Sequence, residues 1–121
     1  MYISLNYRNK LRAIKKHFGD AAQYKKYLEE QNEVLSAFRM YKQADEETYI
    51  KDYDHLLEET ADCLVVAFQL GIITELKEFF RQAINFEYRE VEKDFILATM
   101  VYKIDRTMQK YKIEWRGKNV S

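Results

Sequence analysis

At 121 residues, with 47% hydrophobic and 33% charged side chains, the chain has the size and balance of one globular domain, which excludes a disordered or collagen-like chain. Twenty Lys and Arg offset twenty Asp and Glu, so no overall field draws nucleic acid or an anionic membrane, and any anion site has to be local. The single cysteine, Cys63, cannot close a disulfide within the chain, and the longest apolar run, Cys63 to Phe68, falls far short of the ~20 residues of a membrane-spanning helix. The first residues, Met1 to Arg8, contain no signal-peptide apolar core, so a cytoplasmic protein with no membrane or nucleic-acid partner is expected.

Pro is absent and Gly occurs three times, at Gly19, Gly71 and Gly117, which favours long helices over sheet. Apolar residues at Tyr7, Leu11, Ile14 and Phe18 lie on one stripe of a first helix that Gly19 ends. Asp20 is the expected N-cap of a second helix running to about Lys42, with Tyr27, Leu28, Val34, Leu35 and Phe38 among its apolar positions. Gln43 to Glu47 reads as a connection, and the acidic residues with Thr48 suit the start of a third helix that continues to Leu70. Gly71 is placed for a left-handed C-terminal residue, and Thr74 for the cap of a short helix from Glu75. The pattern weakens at Asn85 to Tyr88 before a last amphipathic helix from about Arg89 to Lys112, and a loose tail is expected after Trp115. The expected fold is all-α, four or five antiparallel helices forming a single domain over residues 1–121.

Two acid pairs three residues apart carry the chemistry: Glu30 with Glu33 on the second helix, Glu59 with Asp62 on the third. Positions i and i+3 share a helical face, but about three such pairs are expected by chance in a chain one-sixth acidic, so the surroundings decide. At ~100° per residue, Glu59 and Asp62 lie within about 60° of Cys63, Val66 and Leu70, while Leu57, Ala61, Leu64 and Phe68 fill the opposite side. A helix apolar nearly all round leaves Asp62 no open face, and a buried carboxylate is costly unless it is paired or holds a metal. Glu30 and Glu33 share their face with Tyr27, Val34, Ala37 and Tyr41, so both pairs point inward. Four carboxylates from two antiparallel helices make a hard, oxygen-only site suited to Mg²⁺, with Mn²⁺ as a substitute. The competing reading makes them surface acids bridged to Lys25, Lys26 and Lys51.

Gln23 to Phe38, followed by His55 to Val66, resembles the MazG-like family of all-α nucleoside triphosphate pyrophosphohydrolases, in which a Glu-Glu-x-x-Glu helix is followed by Glu-Glu-x-x-Asp and an aliphatic run. The order, the doubled Glu and the aliphatic run agree here, over about two-fifths of the chain, with 25 residues between Glu33 and Glu59. The resemblance implies a MazG-like helical bundle with Glu30, Glu33, Glu59 and Asp62 as magnesium ligands and Glu29 and Glu58 as their outer neighbours. It also implies cleavage of a nucleoside triphosphate to the monophosphate and pyrophosphate, in the role of clearing nucleotide pools. Lys103, Arg106 and Lys110 form one basic stripe and look like the family's phosphate-binding helix; the alternative is a solvated face paired with Asp105 and Glu114.

Within that reading, Glu33 or Glu59 positions or deprotonates the attacking water, and Lys103, Arg106 or Lys110 neutralises the leaving pyrophosphate. Tyr27, Tyr41 or Trp115 are available to stack on a base and Gln23 to hydrogen-bond it, although aromatics at helical spacing more often belong to a core. Neither His17 nor His55 follows a Glu by three residues, which argues against a di-iron site, and Cys63 lacks the basic partner of a nucleophile. A homodimer or homotetramer is expected, since relatives associate and the apolar stretch Cys63 to Ile73 exceeds what a small bundle covers. The rival function is a non-catalytic helical adaptor of phage type with a degenerate site.

Overall fold

The computed structural model describes residues 3–72, 78 and 88–115, and among these it is all-helical. The described residues form four helices: α1 (Leu5–Phe18), α2 (Asp20–Lys42), α3 (Tyr49–Leu70) and α4 (Glu90–Lys110). The helix expected from Glu75 and the weak stretch Asn85 to Glu87 lie outside the described residues. None of the described helices is long and apolar enough to cross a membrane.

Helix α1 begins two residues earlier than the apolar stripe suggests, because Ser4 accepts a hydrogen bond from the Tyr7 N–H and caps the first turn. The expected Asp20 cap is not used. Gly19 takes φ 91°, a conformation open to glycine, and makes the whole α1–α2 break in one residue. Asp20 therefore becomes the first helical residue, where its charge meets the positive end of the helix dipole. Before α3 the capping falls to Asp45, whose carboxylate accepts from the N–H groups of Glu47 and Thr48, both at 2.9 Å. Gly71 closes α3 in the left-handed region at φ 67° and ψ 18°, as its position implies.

Helices α2 and α3 form an antiparallel hairpin, and α3 is the central element, buried from Cys63 to Ala67 on every side. Leu56, Leu64, Val34, Ile96, Met100 and Ile104 fill the core between α2, α3 and α4. Between α3 and α4 the contacts advance in the same sense along both chains. Tyr53 donates to Glu92 near one end, and Asp62 meets Lys103 further along. Helix α1 is tied across α4 by Asp105, which accepts from Tyr7 Oη at 2.7 Å and from Lys10 Nζ at 2.8 Å. The apolar stretch from Cys63 that suggested self-association is thus covered within one copy as far as Ala67.

Candidate functional site

The hairpin register brings three of the four expected ligands together. A carboxylate oxygen from each of Glu30, Glu33 and Glu59 lies within 4.8 Å of the others. An antiparallel register that sets residue 33 beside 59 also sets 30 beside 62 and 23 beside 69. This is why two acid pairs on separate helices converge.

Each inner carboxylate is held from one side and bare on the other. Lys26 Nζ stands 3.5 Å from Glu30 Oε1, and His55 Nε2 stands 4.0 Å from Glu59 Oε1. The second oxygens, Glu30 Oε2 and Glu59 Oε2, are buried and have no hydrogen-bond partner among the described residues. Burial pushes the Glu30 carboxyl up to about 7, helped by the charges of Asp62 and Glu33 and opposed by Lys26. Burial likewise lifts Glu59 to about 7, followed by a hydrogen-bonding approach to Glu33 and by the charges of Glu33, Asp62 and Glu30. Crowded hard oxygens, two of them orphaned in the interior, fit a divalent cation of the magnesium type, which would satisfy those atoms and offset the repulsion.

Asp62 is turned to a different partner. Lys103 Nζ lies 2.7 Å from Asp62 Oδ1 and 3.6 Å from Glu58 Oε1, with Lys103 only 9% exposed. The stripe on α4 therefore divides by depth, since Lys103 is buried against the acids of α3 while Arg106 and Lys110 remain exposed. Asp105, offered as a partner for the stripe, is engaged by α1 instead.

Glu30 and Asp62 form part of the wall of an open cavity of about 760 Å³ lined by all four described helices. Lys103, Arg106 and Lys110 from α4 line the same cavity, Lys103 in direct contact with Asp62, and Gln23 and Gln69 line it as well. Glu33 and Glu59 stand about one turn further along the hairpin, outside that lining. No family model, curated protein or solved structure matches this chain. The site is therefore characterised by its own geometry. Cys63 is fully buried, and burial pushes its thiol up to about 12, so it offers no nucleophile.

Two participants, His55 and Gln69, carried no role in the sequence, and a third, Lys26, carried a different one. His55 sits one helical turn before Glu59, a spacing visible in the sequence once Glu59 is known to face inward. Lys26 did appear, but only as part of the surface-bridge alternative; in the fold it holds one oxygen of Glu30 and leaves the other bare. Gln69 had no signal beyond falling seven residues after Asp62, on the same face of α3.

Proposed function

We propose that this protein is a divalent-cation-dependent hydrolase that cleaves nucleoside triphosphates to the monophosphate and pyrophosphate. The observation that carries the reading is the pair of buried, unpartnered carboxylate oxygens, Glu30 Oε2 and Glu59 Oε2, within the three-carboxylate cluster beside a cavity that Lys103, Arg106 and Lys110 also line. The resemblance of Gln23 to Phe38 and His55 to Val66 to MazG-like enzymes supplies the bond that is cut.

Glu30, Glu33 and Glu59 would hold Mg²⁺, with Mn²⁺ as a substitute, and Asp62 would join them when Lys103 releases it. Bound there, the metal would screen the phosphate charge and lower the pKa of a water. Glu59 or Glu33, both members of the three-carboxylate cluster, would take the proton of the attacking water. Arg106, exposed on the cavity wall, offsets charge on the departing pyrophosphate, and Lys110 extends that wall by one turn.

Pyrophosphate release from a nucleotide panel with Mg²⁺ tests the reading, with Glu59→Gln as the comparison. The variant should lose about 100-fold or more of the activity. Unchanged turnover in Glu59→Gln would remove the assignment.

A second reading, a non-catalytic helical module, draws on one observation: Lys103 already neutralises Asp62 at 2.7 Å, as a structural ion pair would. It predicts no stabilisation of the fold by Mg²⁺.

A further inference from the structure

Two buried amides stand at the end of the cavity away from the carboxylates. Gln23 on α2 is 4% exposed and Gln69 on α3 is 8% exposed, and both line the cavity wall. Gln69 Oε1 is buried without a hydrogen-bond partner among the described residues. A buried amide left unpaired is unfavourable, and an apolar side chain of similar shape would fill the same space without that cost.

The register fixes where these amides lie. Gln23 precedes Glu30 by seven residues and Gln69 follows Asp62 by seven, in helices that run in opposite directions. Both amides therefore sit about 10 Å from the acidic end along the same face, at ~1.5 Å per residue. Helix α4 advances with α3, so its C-terminal end reaches this level too. There Tyr111 meets Phe18 edge to face, with ring centroids 4.9 Å apart, and both rings line the cavity. One end of the cavity thus offers the carboxylates with Lys26 and Lys103, and the other two amides and an aromatic pair, with Lys110 beside Tyr111. Nucleotides divide their chemistry the same way, with phosphates at one end and, at the other, a flat base carrying donors and acceptors.

We infer that Gln69, with Gln23, reads the hydrogen-bonding edge of a nucleobase, so that base identity rather than sugar and phosphate alone determines which nucleotide the site accepts. This inference rests on the nucleotide reading of the cavity, though not on hydrolysis. Sites built around a buried hydrogen-bonding group discriminate strongly, because a ligand lacking the complementary group leaves it unpaired.

The test is calorimetric titration of the full chain with the four common ribonucleoside monophosphates in millimolar Mg²⁺, for wild type, Gln69→Met and Gln69→Glu. Wild type should prefer one base over the least favoured by about tenfold or more, the effect of one well-placed hydrogen bond. Gln69→Met should compress that spread to within about threefold. Gln69→Glu, which exchanges a donor for an acceptor, should reorder the bases. The melting temperature of ligand-free Gln69→Met should equal or exceed that of wild type, whereas an amide kept for structure would lower it. Equal wild-type binding of all four bases, no binding, or an unchanged ranking and spread in Gln69→Met would each overturn the inference. Base-selective binding by a protein that releases no pyrophosphate would remove the hydrolase reading and leave this one standing.

Discussion

Lys103 Nζ lies 2.7 Å from Asp62 Oδ1, joining the last helix to the acid that ends the second carboxylate pair. The lysine is nearly buried, and the only other acid it approaches among the described residues is Glu58, at 3.6 Å. It therefore acts as a resident positive charge at the edge of an acidic cluster. Lys103→Met should destabilise the metal-free protein by about 2 kcal/mol, less than loss of a fully buried pair because Asp62 keeps some solvent contact. The same variant should gain more melting temperature from Mg²⁺ than wild type does, since the cluster becomes more negative. Equal gains in both proteins would show that Lys103 does not balance the cluster.

The metal-free cluster also imposes a pH dependence. Glu30 and Glu59 are both raised from an ordinary value of 4.5 to about 7, by burial first and by neighbouring acids second. A group that holds its proton more tightly in the folded state stabilises the fold below its unfolded value. That contribution disappears as pH rises through the folded value. Urea denaturation in EDTA should therefore show stability falling between about pH 4.5 and about pH 7. His55 and Lys26 face the same carboxylates and are present in every sample, so the double variant Glu30→Gln/Glu59→Gln isolates the effect. Its profile should be flatter over this window, and a slope equal to wild type would contradict the assignment.

Much of the fold was legible because its signals are local. Gly19 and Gly71 mark real helix ends, and the apolar spacing on α1, α2 and α4 places the helices to within a few residues. The inward direction of Glu30 and Glu59 was legible from their apolar flanks, whereas Glu33, expected to point inward with them, is exposed, because its place at the edge of the α2–α3 contact is set by the pairing of the helices. What the sequence concealed depends on pairing between helices. That α3 and α4 advance together follows from contacts such as Tyr53 with Glu92, 39 residues apart, and no local pattern encodes it. For the same reason the claim of Lys103 on Asp62 and of Lys10 on Asp105 could not be separated from the basic stripe as a whole. Capping was misplaced at Asp20 because a glycine in the left-handed region can both end one helix and start the next.

Nearer the start of α3, about 9 Å along the helix from Glu59, Glu92 is buried and engaged by two residues. It accepts a short hydrogen bond from Tyr53 Oη and two from Arg89 Nε, at 2.9 and 3.0 Å to its two oxygens. Tyr53→Phe removes one donor from a nearly buried carboxylate, which should cost about 1–3 kcal/mol. The loss should appear as a lower urea midpoint with an unchanged slope, and Mg²⁺-dependent stabilisation should match wild type, because this cluster is separate from Glu30, Glu33 and Glu59. A change in the Mg²⁺ response would mean that the start of α4 is coupled to the acidic cluster.

Magnesium itself gives the most direct check on the centre. A cation that binds only the folded chain stabilises it by about 2.7 kcal/mol at one hundred times its dissociation constant, which for a domain of this length is roughly 10 °C in melting temperature. Wild type should show a rise approaching that size in millimolar Mg²⁺, saturating with concentration. Glu30→Gln and Glu59→Gln should each lose most of it, since each removes one of the three converging carboxylates. Both variants should melt at or above wild type in EDTA, because they also relieve crowding of like charge around a buried, unpartnered oxygen. Glu46→Gln, an exposed acid in the connection before α3, serves as the control and should respond to Mg²⁺ as wild type does. If Glu46→Gln and Glu59→Gln lost equal amounts of stabilisation, the cation effect would be general screening of surface charge, and the three-carboxylate centre would have to be abandoned.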